Sequence, residues 1–283
     1  MKEISSIKDL MYEKMLDIEN TKKVKSISTG FWDLDYTIKG LHNSSITLVS
    51  SRPAMGKTSF VSNIATHIAI KEKIPIAIFS LECSKQEYLD RIVAAEAMVK
   101  KQKLTTGKLE KKDLEKITIA TKKLEQAEIY IDDTPFLQIE QFEKKCKLLK
   151  AEKNIGLIVI DYLQLFDYSK NKKQMLGIWE KLKSLSKELN LHIIVLSQLS
   201  TATEQRENHR PELYDFGNSL DFLEYVDTVL FLYRDYYYNK DIKNKDIVEI
   251  IIAKNKYGSS HNIVIELKFI DKYLKFENIN KSF

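Results

Sequence analysis

The chain has 283 residues, 43% of them hydrophobic and 30% charged, with a formal net charge of +5. That length and apolar content suit one ordinary domain with a small appendage and exclude a disordered or collagen-like chain. No apolar run approaches the ~18 residues of a membrane span, the N-terminus lacks the layout of a secretion signal, and the modest charge permits nucleic-acid contact without arguing for it. Cys83 and Cys146 are the only cysteines; two distant cysteines without a signal peptide point to a reducing, cytoplasmic setting and no disulfide framework.

In chain order, residues 1–20 read as a helix, because Ile4, Ile7, Met11, Met15 and Ile18 recur at three- and four-residue steps. Such a lone apolar stripe needs a surface to cover, in its own domain or on a neighbouring subunit. Thr21–Lys25 is a polar, basic linker, so the division is 1–25 for helix and linker and 26–283 for the main domain. Phe31 and Leu34 are expected core anchors and Gly30 a turn. From Ile46 the chain alternates: strands at Ile46–Ser50, Ile74–Ser80, Glu128–Asp132, Leu157–Asp161, His192–Ser197 and Thr228–Tyr233, helices at Ser59–Lys71, Lys85–Lys100, Lys111–Gln126, Ile139–Glu152 and Met175–Leu189. Near-continuous apolar strands separated by helices imply an α/β fold with an open, mostly parallel sheet covered on both faces. The last three segments, Ile247–Ala253, Asn262–Phe269 and Tyr273–Glu277, lack intervening helices and read as antiparallel strands at the sheet edge. Leu199–Leu223 has little periodicity, and a loop that long is usually functional. Tyr236–Asp246 is expected to be an exposed, mobile insertion.

The stretch that organises the rest is Ser51-Arg52-Pro53-Ala54-Met55-Gly56-Lys57-Thr58, followed by Ser59. A strand, a tight loop closing on Gly-Lys-Thr and a helix form a phosphate-binding arrangement. Loop N–H groups and the helix N-terminus face phosphate oxygens, Lys57 reaches the outer phosphates, and the Thr58 hydroxyl suits Mg²⁺. Ser51 stands where the general pattern has its first Gly, which leaves Pro53 and Gly56 to shape the turn. Open α/β sheets bind ligands beyond the C-terminal ends of their strands. Three further strand ends therefore stand out. Asp161 closes Ile158-Val159-Ile160 as a carboxylate for Mg²⁺, Glu82 follows Phe79-Ser80-Leu81 as a base for water, and Gln198 follows Leu196-Ser197 as a sensor of the terminal phosphate.

Taken together, these strings resemble the C-terminal ATPase domain of the DnaB family of replicative hexameric helicases. Also carrying the resemblance are Ser28-Thr29-Gly30-Phe31 with Asp33-Leu34-Asp35, Ala77 to Glu82, Ile131-Asp132-Asp133-Thr134-Pro135, Leu157 to Leu165, Leu196 to Ser200, Phe231-Leu232-Tyr233-Arg234 and Ile251-Ile252-Ala253-Lys254. Ser51 is then ordinary, since this family commonly has a small residue there. The resemblance covers residues 5 to 278 and implies a RecA-like P-loop fold, a homo-hexameric ring, and ATP with Mg²⁺ bound between subunits. It implies Glu82 as catalytic base, Lys57, Thr58 and Asp161 on phosphate and metal, Gln198 as sensor, and a first helix that packs on the adjacent subunit. It also implies single-stranded DNA as partner, with a helicase loader or primase as further partners. The family's N-terminal helical domain is absent from this sequence, which reads as a fragment or as a naturally short member.

Three departures from the family pattern lie outside the phosphate site. The strand before Gly258 usually carries Lys-x-Arg, reaching into the neighbour's site; here it is Lys254-Asn255-Lys256, which keeps the charge but loses the bidentate fork. The DNA-binding loop usually reads Asp-Leu-Arg-Glu-Ser-Gly; here it is Asp215-Phe216-Gly217-Asn218-Ser219-Leu220. Thr201 replaces an Arg after the sensor motif, leaving Arg206 and Arg210 with Gly217, Asn218 and Ser219 as the DNA-facing candidates. The resulting expectation is an ATP-dependent helicase translocating on single strands. The alternatives are an ATP-binding, weakly active relative that modulates or co-assembles with a complete helicase, and a filament-forming recombinase-type ATPase, against which the Ser-Leu-Glu and Tyr-Leu-Gln strings argue.

Overall fold

The computed structural model describes residues 6–8, 10–12, 15, 26–163, 172–217, 220–258 and 262–279. At the N-terminus Ile7, Lys8, Leu10, Met11, Tyr12 and Met15 are helical, and the five large apolar side chains among them are all exposed. Ser6 precedes them and its carbonyl accepts from the Leu10 N–H at 3.1 Å; the remaining residues of the expected 1–25 segment lie outside the described residues.

The main domain opens with a short helix, α1 (Trp32–Ile38). Asp35 holds it in place by accepting from the Thr29 N–H, at 2.9 Å, and from the Ser28 and Thr29 hydroxyls. Then follow β1 (Ile46–Ser51), α2 (Lys57–His67), β2 (Ile76–Ser80), α3 (Lys85–Ala97), α4 (Lys101–Thr106), α5 (Lys111–Leu124), β3 (Ile129–Asp132), α6 (Ile139–Lys153) and β4 (Leu157–Asp161). Next come α7 (Lys172–Glu188), β5 (His192–Gln198), β6 (Thr228–Tyr233), α8 (Asp235–Tyr238), β7 (Ile247–Asn255), β8 (Ile263–Ile270) and β9 (Lys275–Asn278). Among the described residues these strands form one sheet of nine, in the order β3-β2-β4-β5-β1-β6-β7-β8-β9. β3 to β6 are parallel and β7 to β9 antiparallel, as expected from the presence and absence of crossover helices.

Period-two alternation divides each buried strand between two cores. Val49, Ile78, Val159 and Ile194 face Phe60, Ile64 and Ile68 of α2 and its extension, while Leu48, Phe79, Ile160 and Val195 face Phe142 of α6 and Trp179 and Leu182 of α7. β1, β2 and β4 are buried along their whole length, because both faces are covered. α2 continues through a π-turn at Ile68–Glu72. α3 starts at Ser84 in a full capping box with Glu87 and stops at Met98, whose φ of 52° breaks the helix three residues before the expected end at Lys100.

Two segments without clear periodicity acquire local order. Most of Tyr236–Asp246 is exposed as expected, but Tyr238 stacks on His209 at 4.2 Å and lies against Tyr233, so aromatic packing folds its start onto the end of β6. Leu199–Leu223 is also more than a loop. It contains 3₁₀ turns at Thr201–Gln205, Leu213–Phe216 and Asp221–Tyr225, and Phe222 stacks on Trp179 at 5.1 Å.

Candidate nucleotide site and its distal lysines

Parallel pairing brings the strand ends together. Ser51 lies beside Gln198 and Ser80 beside Asp161, so the loop after β1, Glu82 after β2, Asp161 on β4 and Gln198 on β5 converge on one edge. The cleft there, of about 260 Å³, is lined by the whole run Ser51–Ser59 with Glu82, Arg91 and Gln198, and Asp161 lies buried behind it, within reach of Lys57 and Thr58. Sequence reading placed all of these here except Arg91. The missed signal is that Arg91 falls on the apolar stripe Tyr88, Ile92, Ala95 of α3, where a charge is out of place unless it has a task. Its Nε is buried without a protein partner, so the guanidinium has donor capacity aimed into the cleft.

The loop turns at two residues with positive φ, Ala54 at 65° and Gly56 at 93°. Ala54 thus shares the work the sequence assigned to Pro53 and Gly56, and an alanine held there is strained. Gly56 has no substitute: a Cβ would lie 3.3 Å from the rings of Phe269 and Phe276. Those rings come from the antiparallel edge, stacked at 4.4 Å, and β9 is tied to α2 by Asn63, which accepts from the Phe276 N–H and donates to the Leu274 carbonyl. The edge strands are therefore the floor of the phosphate loop. α2 begins at Lys57, two residues before the expected Ser59, so Gly56 to Thr58 present the helix N-terminus to the cleft.

Lys57 donates to the Ser197 carbonyl at 2.9 Å and lies 5.5 Å over the Tyr162 ring. Burial pulls its pKa down, opposed by Asp161 and Glu82, so an incoming phosphate would meet a poorly solvated cation. Asp161 is 1% exposed. Burial raises its pKa to about 6 against the pull of Lys57 and of a hydrogen bond from Thr58. One of its carboxylate oxygens is buried and unpartnered. An orphan carboxylate oxygen beside a hydroxyl is a hard-oxygen pair that fits Mg²⁺, which takes few protein ligands and completes its shell with water and phosphate. Among the described residues no cluster of three acidic, His or Cys groups forms an all-protein metal cage, in keeping with such a partial site.

Arg52 points away from the cleft centre. It pairs with Glu204 at 2.9 Å and donates to the Leu199 carbonyl, tying the loop to the segment beyond the sensor. In that segment Arg206 forks onto Asp215 at 3.0 and 2.8 Å and donates to the Arg210 carbonyl. Arg210 pairs with Glu249 and stacks 4.7 Å over Tyr233. Both guanidiniums expected to face DNA are thus engaged within the chain. Gly217, with φ 78° and ψ −158°, occupies a region only Gly enters freely; Asn218 and Ser219 lie outside the described residues.

Lys254 and Lys256 do not join the cleft. β7 runs antiparallel with Lys254 opposite Val229 and Asn255 opposite Thr228, level with Thr47 at the start of β1. The phosphate loop follows the end of that six-residue strand, about 16 Å away. Neither lysine reaches its own chain's loop. Lys254 donates to the carbonyls of Leu223 and Val226 at 2.5 and 2.8 Å, while Lys256 pairs with Asp227 at 3.2 Å and is 62% exposed.

Residues 26–278 match the DnaB-like helicase C-terminal domain family. The chain is a member of that family. It is 42% identical to the replicative DNA helicase DnaB of Geobacillus stearothermophilus and 39% identical to the replicative DNA helicase DnaC of Bacillus subtilis (strain 168), in each case over 98% of this chain and 63% of the relative. The chain therefore spans just under two thirds of the length of these relatives. Among solved structures, the ATPase domain of G40P superposes with a TM-score of 0.90 at 30% identity, covering 98% of this chain and all of that one. A DnaB-like replicative helicase, described with its interactions with primase, gives 0.86 at 30% identity, over 99% of this chain and 68% of that one. The expected RecA-like fold is thus the observed one. No helix among the described residues is long and apolar enough to cross a membrane.

Proposed function

We propose that this chain is the ATP-hydrolysing motor of a replicative DNA helicase, working as a homo-hexameric ring on single-stranded DNA. The observation that carries this reading is the split between one complete half-site and a distant pair of lysines. The Ser51–Ser59 loop, Glu82 and Gln198 share one cleft with Asp161 buried behind it, while Lys254 and Lys256 sit at the other end of the strands. A ring in which each subunit's lysine edge meets the next subunit's cleft completes the site.

In this mechanism the Gly56–Thr58 amides cradle the β- and γ-phosphates, and Lys57 leaves the Ser197 carbonyl for them. Thr58 and Asp161 hold Mg²⁺, which when bound neutralises charge on the phosphates. Glu82 orients and deprotonates the attacking water. Arg91 donates to the oxygen on which charge develops. Gln198 bonds the γ-phosphate, and its loss on hydrolysis is relayed through Leu199 and the Arg52–Glu204 pair to the 201–225 segment that meets DNA. The cytoplasm is the working compartment, and a loader or primase would engage the assembled ring.

The test is ATP turnover by size-characterised rings with and without single-stranded DNA, together with unwinding of a forked duplex. DNA-stimulated turnover coupled to strand separation is expected. Hexamers that bind ATP yet neither turn over nor unwind would overturn it in favour of the second reading, a weakly active relative that modulates a complete helicase. One observation favours that alternative: Lys256 offers a single ammonium where the family usually has a forked guanidinium.

A further inference from the structure

Asp227 opens β6 and is 4% exposed. Its carboxylate accepts from the Ile46 N–H at 2.8 Å, from Lys183 of α7 at 2.5 Å and from Lys256 at 3.2 Å. Lys183 is itself 13% exposed and also donates to the Ser44 carbonyl. The first two donors fix the carboxylate from inside the fold; the third comes from an exposed side chain at the far end of β7. The Lys256 backbone N–H meets the Asp227 carbonyl at 3.0 Å, and the carbonyls that hold Lys254 belong to the residues just before Asp227. On the other side Tyr257 stacks on His42 at 3.8 Å, and Asn255 donates to the Thr37 carbonyl. The residues on both sides of Lys256 are thus held, while its own side chain is exposed apart from the contact with Asp227.

We propose that Asp227 is a positioning residue for Lys256, holding the ammonium that this edge brings toward the nucleotide of an adjacent copy. This rests on the reading above that the lysine edge meets the next subunit's cleft. The physics is that of a charge held by a buried counter-ion. Lysine is a flexible point charge with many rotamers, and a fork cannot orient it as it would arginine. Asp227, unable to move because Ile46 and Lys183 hold it, confines the ammonium before the phosphate arrives, which removes part of the ordering cost from the reaction. Lys183 takes over Asp227's charge when Lys256 shifts to the phosphate, so no buried carboxylate is left unpaired. Lys254, by contrast, donates to the carbonyls of Leu223 and Val226 and feels Asp227 without a direct hydrogen bond to it.

The experiment measures kcat and KM for ATP in single-stranded-DNA-bound rings, with ring size recorded on the same samples. Lys256→Ala is expected to lower kcat by about 100-fold or more. Asp227→Asn is expected to lower it by about tenfold with KM and ring size unchanged, and to add less than about twofold in the Lys256→Ala background. Asparagine leaves Lys183 without its counter-ion, so Asp227→Asn combined with Lys183→Met removes both buried charges and keeps the fold testable; the same kcat loss is expected there. The proposal is overturned if the double variant turns over within about twofold of the parent while Lys256→Ala does not. It is equally overturned if the loss persists undiminished without Lys256, or if it appears only with loss of the ring, the mark of a merely structural aspartate. Wild-type kcat in Lys256→Ala rings would instead sink the reading beneath it.

Discussion

The two ends of the parallel sheet are built on different terms. At the C-terminal ends of the strands, the Ser51–Ser59 loop, Glu82 and Gln198 line a cleft that has unsatisfied groups in and behind it: an unpartnered Asp161 oxygen, a buried Arg91 Nε and a desolvated Lys57. At the other end and along the 199–225 segment, the cations that the sequence marked for DNA or the neighbouring subunit are already engaged within the chain, as in Lys256–Asp227, Arg206–Asp215 and Arg210–Glu249. A site left unsatisfied is one that a ligand completes in cis. A site that is satisfied must exchange partners to act, which suits groups that engage another molecule only at one stage of a cycle. The departures from the family pattern fall on the second kind of region, where a substitution alters an exchange rather than a cradle.

Four measurements press on that contrast, from the largest expected effect to the smallest. Lys57→Ala should bring DNA-stimulated ATP turnover down by ~10³-fold or more, since no other cation stands at the N-terminus of α2; residual turnover above a tenth of the parent would break the view of a complete cis site. Glu82→Gln should cut kcat by about 10²-fold or more while a fluorescent ATP analogue still binds. Equal loss of binding would show that Glu82 shapes the cleft rather than activating water.

The third measurement is pH. Burial raises the Asp161 pKa to about 6, and the protonated carboxyl cannot hold a divalent cation. The sign follows: above pH 6 the carboxylate is free for Mg²⁺, and as pH falls below that value apparent Mg²⁺ affinity should drop by up to about tenfold per pH unit. Affinity that is flat between pH 7 and 5 would remove Asp161 from the metal site. The smallest effect is on stability. Gly56→Ala puts a Cβ against Phe269 and Phe276 at a φ of 93°, so denaturant unfolding should show a loss of about 1–3 kcal/mol, whereas Gly107→Ala, with the same sign of φ and open space around it, should cost about 1 kcal/mol.

The cradle was legible in the sequence because its logic is local. A buried strand, a turn and a helix start are contiguous, and the residue types at each position follow from backbone geometry and phosphate chemistry. Asp161, Glu82 and Gln198 could be picked out for a related reason: each ends an apolar run, and parallel strands deliver their ends to one edge. Three things needed the tertiary structure. Arg91 reaches the cleft only because α3 packs across α2, and a charge on an apolar stripe does not announce its target. The 199–225 segment is held by Trp179, Phe216 and Phe222 stacking, isolated aromatics in 3₁₀ turns too short to have a period. Lys254 and Lys256 looked like one paired device in sequence. Register decides otherwise: antiparallel pairing of β7 with β6 carries them about 16 Å from their own phosphate loop, where Lys256 pairs with Asp227, close in sequence to neither, and Lys254 with the carbonyls of Leu223 and Val226. Local chemistry is written in contiguous residues; partnership across the sheet is set by strand order and packing, which the chain acquires only when it folds.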